Sequence, residues 1–238
     1  MNKKTISYYF KKKSEQTKEL CTICDVDQMI NPAWKNIMNL SPSSLCEINK
    51  AYSSGAVVYP DFQDIFRWSW LTSPEQIRVV VLGHEPYCHG QDHGLSYSVK
   101  STSYIPEDIK AICAELKRSY GCSETMLTGD FSHWCNQGVL MLNRVLTVKE
   151  YCPNSHYNKM GWTEATDRIL QWINIHLYKV VFLIWGEYAY KTINRHVDST
   201  KHLFLRADYP SVKNNFVGCN HFILTNEYIA GPKINWIG

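Results

Sequence analysis

The chain has 238 residues, 45% of them apolar, and a formal charge of +3 at pH 7, which suits one domain with a sizeable buried core. No run of about 18 apolar residues occurs, which excludes a membrane-spanning helix, and the basic N-terminus lacks the apolar middle of a secretory signal. Nine cysteines scattered through a chain without an export signal point to reduced thiols in a soluble intracellular protein and away from a disulfide framework.

Residues 1–20 are polar and without sustained periodicity, and are expected to form a flexible tail ahead of one domain over 21–238. The tail holds six lysines against Glu15 and Glu19, a charge of +4, so the remaining residues carry −1. Any attraction of the body to a polyanion must come from a local patch. Within the tail, Ile6, Tyr9 and Phe10 form an apolar cluster ahead of Lys11, Lys12 and Lys13, a basic run suited to nuclear import, to phosphate contact or merely to solvation. Cys21 and Cys24 have metal-ligand or redox spacing, but no second CxxC follows them.

From residue 78 onward, apolar runs at 78–83, 139–142, 179–185 and 202–205 read as strands. Ile109, Ile112, Cys113, Leu116 and Tyr120 make a helical face behind Pro106, which suits a first turn. Trp162, Ala165, Ile169, Trp172, Ile173 and His176 make another. The alternation predicts an α/β fold with a central four-stranded, mostly parallel sheet flanked by helices on both faces.

Such a sheet binds its ligand at the carboxyl ends of its strands. There the sequence places Gly83-His84-Glu85-Pro86-Tyr87, Asn143-Arg144, Gly186-Glu187-Tyr188 and Asp208-Tyr209-Pro210-Ser211. An acid, an amide, aromatics and tight turns would converge on one crevice. Cys88, His89 and His93 also lie close to His84 in sequence; zinc ligation and a Cys88 nucleophile compete there with plain hydrogen bonding, and no orienting third group is apparent for the nucleophile.

In this order the loops resemble the family 1 uracil-DNA glycosylases. The likeness runs from Val58-Tyr59-Pro60 to Ile234-Asn235-Trp236 and takes in Gly129-Asp130-Phe131-Ser132, the stretch from Gly138 to Val148, Asn154-Ser155-His156, Gly161-Trp162, Phe182-Leu183-Ile184-Trp185-Gly186 and Gly218-Cys219-Asn220-His221-Phe222. The resemblance implies hydrolysis of the N-glycosidic bond of uracil flipped out of single- or double-stranded DNA, without metal or cofactor. It implies a carboxylate beside a cation-like sugar and hydrogen-bond donors beside a uracil anion.

The family's Gly-Gln-Asp-Pro-Tyr-His-Gly signature falls on the loop from Gly83 to Gly90, so its water-orienting Asp is Glu85 here. The resemblance gives base recognition to His84, Tyr87, Tyr97 and Asn143: the Asn143 amide reads the base edge, Tyr87 blocks the thymine methyl and Tyr97 stacks. The His of the second signature falls on Tyr209, whose hydroxyl is expected to donate to the uracil anion. The DNA-backbone positions fall on Pro106, Gly186, Pro210, Ser211 and Lys213. Lys213 replaces an apolar wedge and is suited to a phosphate. Asp108 and Glu187 stand in phosphate-gripping loops, where carboxylates would repel. These four departures, Glu85, Tyr209, Lys213 and Glu187, leave a second reading open: a glycosylase-fold protein with impaired chemistry that serves as a DNA- or clamp-binding replication accessory.

The stretch from Lys3 to Phe10 resembles the short sliding-clamp-binding peptide of nuclear DNA-repair enzymes, with Ile6, Tyr9 and Phe10 as its plugs and Lys3 at the family's Gln. A monomer acting in the nucleus, or in a host nucleus for a virus, is the expected setting, with a cytoplasmic site as the alternative.

Overall fold

The computed structural model describes residues 23–101, 103–123 and 128–238, with side chains from residue 26 on. Ile6, Tyr9, Phe10, Cys21 and the Cys24 side chain lie outside the described residues.

Helices α1 (Ile23–Met29), α2 (Pro32–Met38) and α3 (Pro42–Ser53) come first. The second and third start for the same local reason. Asn31 and Ser41 accept hydrogen bonds from the backbone N–H of Ala33 and Ser44, and a proline opens each first turn, where no intrahelical N–H is required. Strand β1 (Val58–Tyr59), α4 (Arg67–Leu71), β2 (Val79–Gly83), α5 (Glu107–Tyr120), α6 (Ser132–Cys135), β3 (Val139–Asn143) and β4 (Val148–Lys149) follow. The remainder is α7 (Trp162–His176), β5 (Val181–Trp185), α8 (Glu187–His196), β6 (Leu203–Ala207) and α9 (His221–Tyr228).

Strands β3, β2, β5 and β6 lie side by side in that order, and every pairing is parallel. The strands β1 and β4, too short to carry a sequence period, form a separate antiparallel ribbon. Every residue of β2, β3 and β5 is buried, which requires cover on both faces of the sheet. The edge strand β6 is only half-buried. At the other edge, Thr72 donates to the carbonyl of Val139 and the Ser96 N–H donates to that of Met141, so β3 offers little open ladder. Six tryptophans, 34, 68, 134, 162, 185 and 236, are fully buried in the core around the sheet.

Helix α7 spans the residues the periodicity predicts. Helix α5 begins one residue later than expected, because Pro106 is its extended cap, and it ends at Gly121 in the left-handed conformation with φ of 66°. The chain leaves β2 for β3 on one side and then returns to β5 on the other. The loops after β2 and β5 therefore diverge, which opens a crevice at the carboxyl ends of the strands.

Candidate active site

The crevice is lined first by the ends of β2 and β3, where Gly83 and Asn143 are register partners. Asn143 is 6% exposed, and its carboxamide makes no hydrogen bond to another described residue. A Cβ at residue 83 would lie 2.3 Å from Asn143 Oδ1 and 2.8 Å from Ser96 Cβ, so only glycine leaves room for this amide. The backbone beyond is tied across the two strands: Arg144 N–H donates to the Gly83 carbonyl and Val145 N–H to that of His84, both at 2.9 Å. Behind it, the nearly buried Arg144 guanidinium pairs with Asp167, which also contacts His196 at 2.7 Å.

Glu85 faces the loop that follows β4. Its two oxygens accept the same backbone N–H, that of Asn154, at 2.9 and 3.0 Å. Asn154 has φ of 62°, a left-handed conformation that asparagine tolerates better than most residues, and its side-chain oxygen lies 2.7 Å from His84 Nε2. The His84 ring also meets Tyr188 edge to face, with centroids 4.3 Å apart. Thus Asn154 joins the acid and the histidine, and a residue quoted in the sequence only as part of a family match becomes the anchor of the carboxylate. Its positive φ is the one hint a sequence carries, through the asparagine itself.

The third wall is aromatic. Tyr97, buried and at φ of 50°, meets Trp185 edge to face at 5.1 Å and Tyr209 at 6.1 Å. Gly186 stands at φ of 90°, and a Cβ there would approach Tyr209 Cβ to 3.3 Å, so the β5 and β6 loops meet closely.

The hydroxyls of Tyr87 and Tyr209 both donate to one oxygen of Asp108, at 2.8 and 2.9 Å. The other oxygen accepts the N–H of Ile109 at 2.9 Å, in the first turn of α5. Burial and the facing carboxylate raise both tyrosine pKa values. This corrects one expectation and bears on a second. Asp108 does not lie open beside a phosphate path but is turned inward and 7% exposed, and the Tyr209 hydroxyl hydrogen is directed at it. Farther along α5, buried Glu115 accepts the N–H groups of Gly218 and Asn220 as well as Arg118; burial pushes its pKa up, but these donors hold it below the ordinary value. Helix α5 thereby holds the segment from Tyr209 to Asn220 at both ends.

The remaining sequence candidates lie around the rim. Pro106 caps α5, Pro210 is buried, and Ser211 is half-buried with its Oγ accepting the N–H of Lys213, which is exposed. Glu187 is exposed and lies 3.6 Å from Arg206 and 3.8 Å from Lys191, so two cations compensate the charge expected to repel phosphate. The Cys88, His89 and His93 side chains part company. Cys88 is buried, His89 meets Tyr151 on the surface, and His93 is buried between Arg67 and Ser98. Among the described residues no three His, Cys, Asp or Glu side chains gather as metal ligands, and no helix is long and apolar enough to cross a membrane.

An amide, an anchored carboxylate and an aromatic wall thus stand together at the switch point of an open parallel sheet, the place where such folds bind ligands. A family model described as the uracil DNA glycosylase superfamily matches residues 70–229. The chain is 36% identical over 211 residues to a uracil-DNA glycosylase of human herpesvirus 7, covering 84% of this chain and 82% of the relative. It is 39% identical over 196 residues to a uracil-DNA glycosylase of Haemophilus influenzae, covering 80% and 88%. The crystal structure of the mimivirus uracil-DNA glycosylase superposes with a TM-score of 0.80 at 20% identity, over 89% of this chain and 88% of that one, a likeness of fold. The chain belongs to the uracil-DNA glycosylase superfamily.

Proposed function

We infer that this protein is a uracil-DNA glycosylase, a hydrolase that removes uracil from DNA and so begins base-excision repair. The observation that carries the reading is the Asn143 carboxamide, buried and without a partner among the described residues, opposite a glycine that makes room for it. An amide offers a donor and an acceptor side by side, which matches the O4 and N3–H edge of uracil. Curated relatives named for this activity support it, and they disfavour the reading of a non-catalytic accessory.

In this reading Glu85 orients the attacking water and stabilises the cation-like sugar, held at a fixed reach by Asn154. The C1′–N1 bond breaks with its electron pair leaving on uracil, water oxygen bonds to C1′, and the water proton goes to the carboxylate and then to solvent. Tyr97 stacks on the base, Tyr87 excludes a C5 methyl, and His84 contacts the base by its ring or backbone. Tyr209 serves the leaving base through its hydroxyl once that hydrogen is released from Asp108. Pro106, Gly186, Pro210 and Ser211 lie where the DNA backbone passes, and Lys213 contributes a phosphate contact. The protein works as a monomer in a nucleus, where Ile6, Tyr9 and Phe10 engage a sliding clamp.

The test is uracil release from a single-stranded oligonucleotide carrying one uracil, a substrate that carries no unpairing cost. Release by the unmutated protein, abolished in Glu85→Gln with binding kept within about threefold, supports the assignment. Equal release by Glu85→Gln overturns Glu85 as the working carboxylate.

A further inference from the structure

Asp108 is a buried carboxylate with no part in the chemistry above, yet it spends one oxygen on two residues of the pocket. Its charge is tolerated because three donors meet it: the Tyr87 and Tyr209 hydroxyls and the Ile109 N–H at the positive end of α5. Tyr87 is thereby held at both ends, since its backbone N–H donates to the buried Asp92 at 3.2 Å while its hydroxyl meets Asp108 at 2.8 Å. A ring fixed at its backbone and at its para position has little freedom to tilt. Tyr209 is fixed by the same oxygen, so loops following β2 and β6 are tied to one point on α5.

We propose that Asp108 is the positioning residue that sets discrimination at the C5 edge of the base, by holding the Tyr87 ring in place and coupling it to Tyr209. The proposal rests on the reading of Tyr87 as the ring that excludes a C5 methyl. Removing the carboxylate frees two hydroxyls that have no other protein acceptor among the described residues, and a ring released at one end yields to a methyl group. Uracil, which presents only hydrogen at C5, gains nothing from that freedom. Loss of Asp108 therefore narrows the rate ratio between the two bases instead of lowering both rates alike.

The experiment measures single-turnover release of uracil and of thymine from single-stranded oligonucleotides. The full chain is compared with Asp108→Ala, Asp108→Asn, Tyr87→Phe, the Asp108→Ala/Tyr87→Phe pair and Tyr87→Ala, with the thermal midpoint of each variant as the check on folding. Tyr87→Ala removes the ring and calibrates thymine release. The expected result is a uracil-to-thymine ratio at least tenfold lower in Asp108→Ala and in Tyr87→Phe, no lower in the pair than in either alone, and partly restored in Asp108→Asn, which keeps one acceptor oxygen. An unchanged ratio in Asp108→Ala, beside a relaxed one in Tyr87→Ala, overturns the proposal while leaving the activity intact. Absence of thymine release from Tyr87→Ala overturns the gating role of Tyr87 and the proposal with it. Failure of the unmutated protein to release uracil overturns the assigned function itself.

Discussion

Shortening Glu85 to aspartate should slow uracil release, even though the aspartate is the residue at the matching position of the family signature. The two Glu85 oxygens stand 2.9 and 3.0 Å from the Asn154 N–H. Removing one methylene withdraws the carboxylate by about one C–C bond, roughly 1.5 Å, which carries both oxygens past the ~3.5 Å limit at which a hydrogen bond still counts. A hydrogen bond to a charged group contributes about 1.5–3 kcal/mol. Asn154 is exposed and Glu85 half-buried, which argues for the lower half of that range. At about 1.4 kcal/mol per decade, the loss of orientation predicts release slower by about 10- to 50-fold in Glu85→Asp. The assay is single-turnover release from a uracil-bearing single strand at saturating enzyme, which reports the chemical step, with binding measured separately. Release by Glu85→Asp equal to or faster than that of the unmutated protein would refute the argument, because the Asn154 anchor would then have no bearing on where the carboxylate acts.

Gly83→Ala places a Cβ 2.3 Å from Asn143 Oδ1, so it should displace the amide, lower uracil release by about a hundredfold and cost about 1–3 kcal/mol of stability; unchanged release would show that Asn143 does not need that space. Lys213→Ala should reduce the slope of log binding constant against log salt by about one, and an identical slope would remove Lys213 from the phosphate contacts. Buried Asp92 has its pKa raised to about 7 by burial, so the folded state holds a proton that the unfolded state releases, and this group's contribution is lost as pH rises from about 4 through 7. The buried histidines 93, 156 and 221, each lowered to about 4 by burial, act oppositely over pH 4 to 6.5. Asp92→Asn should therefore lose stability more steeply on acidification below pH 6.5, read from urea midpoints at several pH values; a shallower acid slope would contradict the sign. A peptide of residues 1–20 should capture a sliding clamp and lose it when Tyr9 and Phe10 become alanine, whereas no capture by the unmutated peptide would dismiss that role.

The parallel sheet was legible because buried parallel strands are continuous apolar runs, and because the helices between them carry one apolar face each. Helix α7 was legible to the residue, since its face from Trp162 to His176 is unbroken. The ribbon of β1 and β4 was not, because a two-residue strand has no period to read. Site positions that end a strand, Gly83 and Asn143, were legible from topology. The partners that distant loops contribute were not, and Asp108 is the clearest case. In sequence it is a carboxylate at a helix start, and nothing local says that it faces two hydroxyls from residues 21 and 101 positions away. Whether a carboxylate points at solvent or into a pocket depends on donors that only the fold assembles.

Those same donors bear on how the altered signature residues are to be understood. Taken singly, a longer acid at 85 and a phenol at 209 each disturb a site that depends on sub-ångström placement. Taken with their surroundings, each is met by a group suited to it: the Asn154 N–H lies within reach of both oxygens of the longer side chain, and Asp108 accepts the phenol. The substitutions are thus pairs, and a single reversion breaks a pair. Tyr209→His alone should leave Asp108 with one tyrosine donor and a charge facing the imidazole, a contact that favours the charged imidazolium. Combined with Asp108→Ser, which removes the carboxylate, the histidine loses that partner. The double variant should release uracil at least tenfold faster than Tyr209→His alone if the imidazole acts as a neutral donor to the leaving base. Rates that merely multiply the two single effects would mean that positions 108 and 209 act independently, contrary to the contact between them.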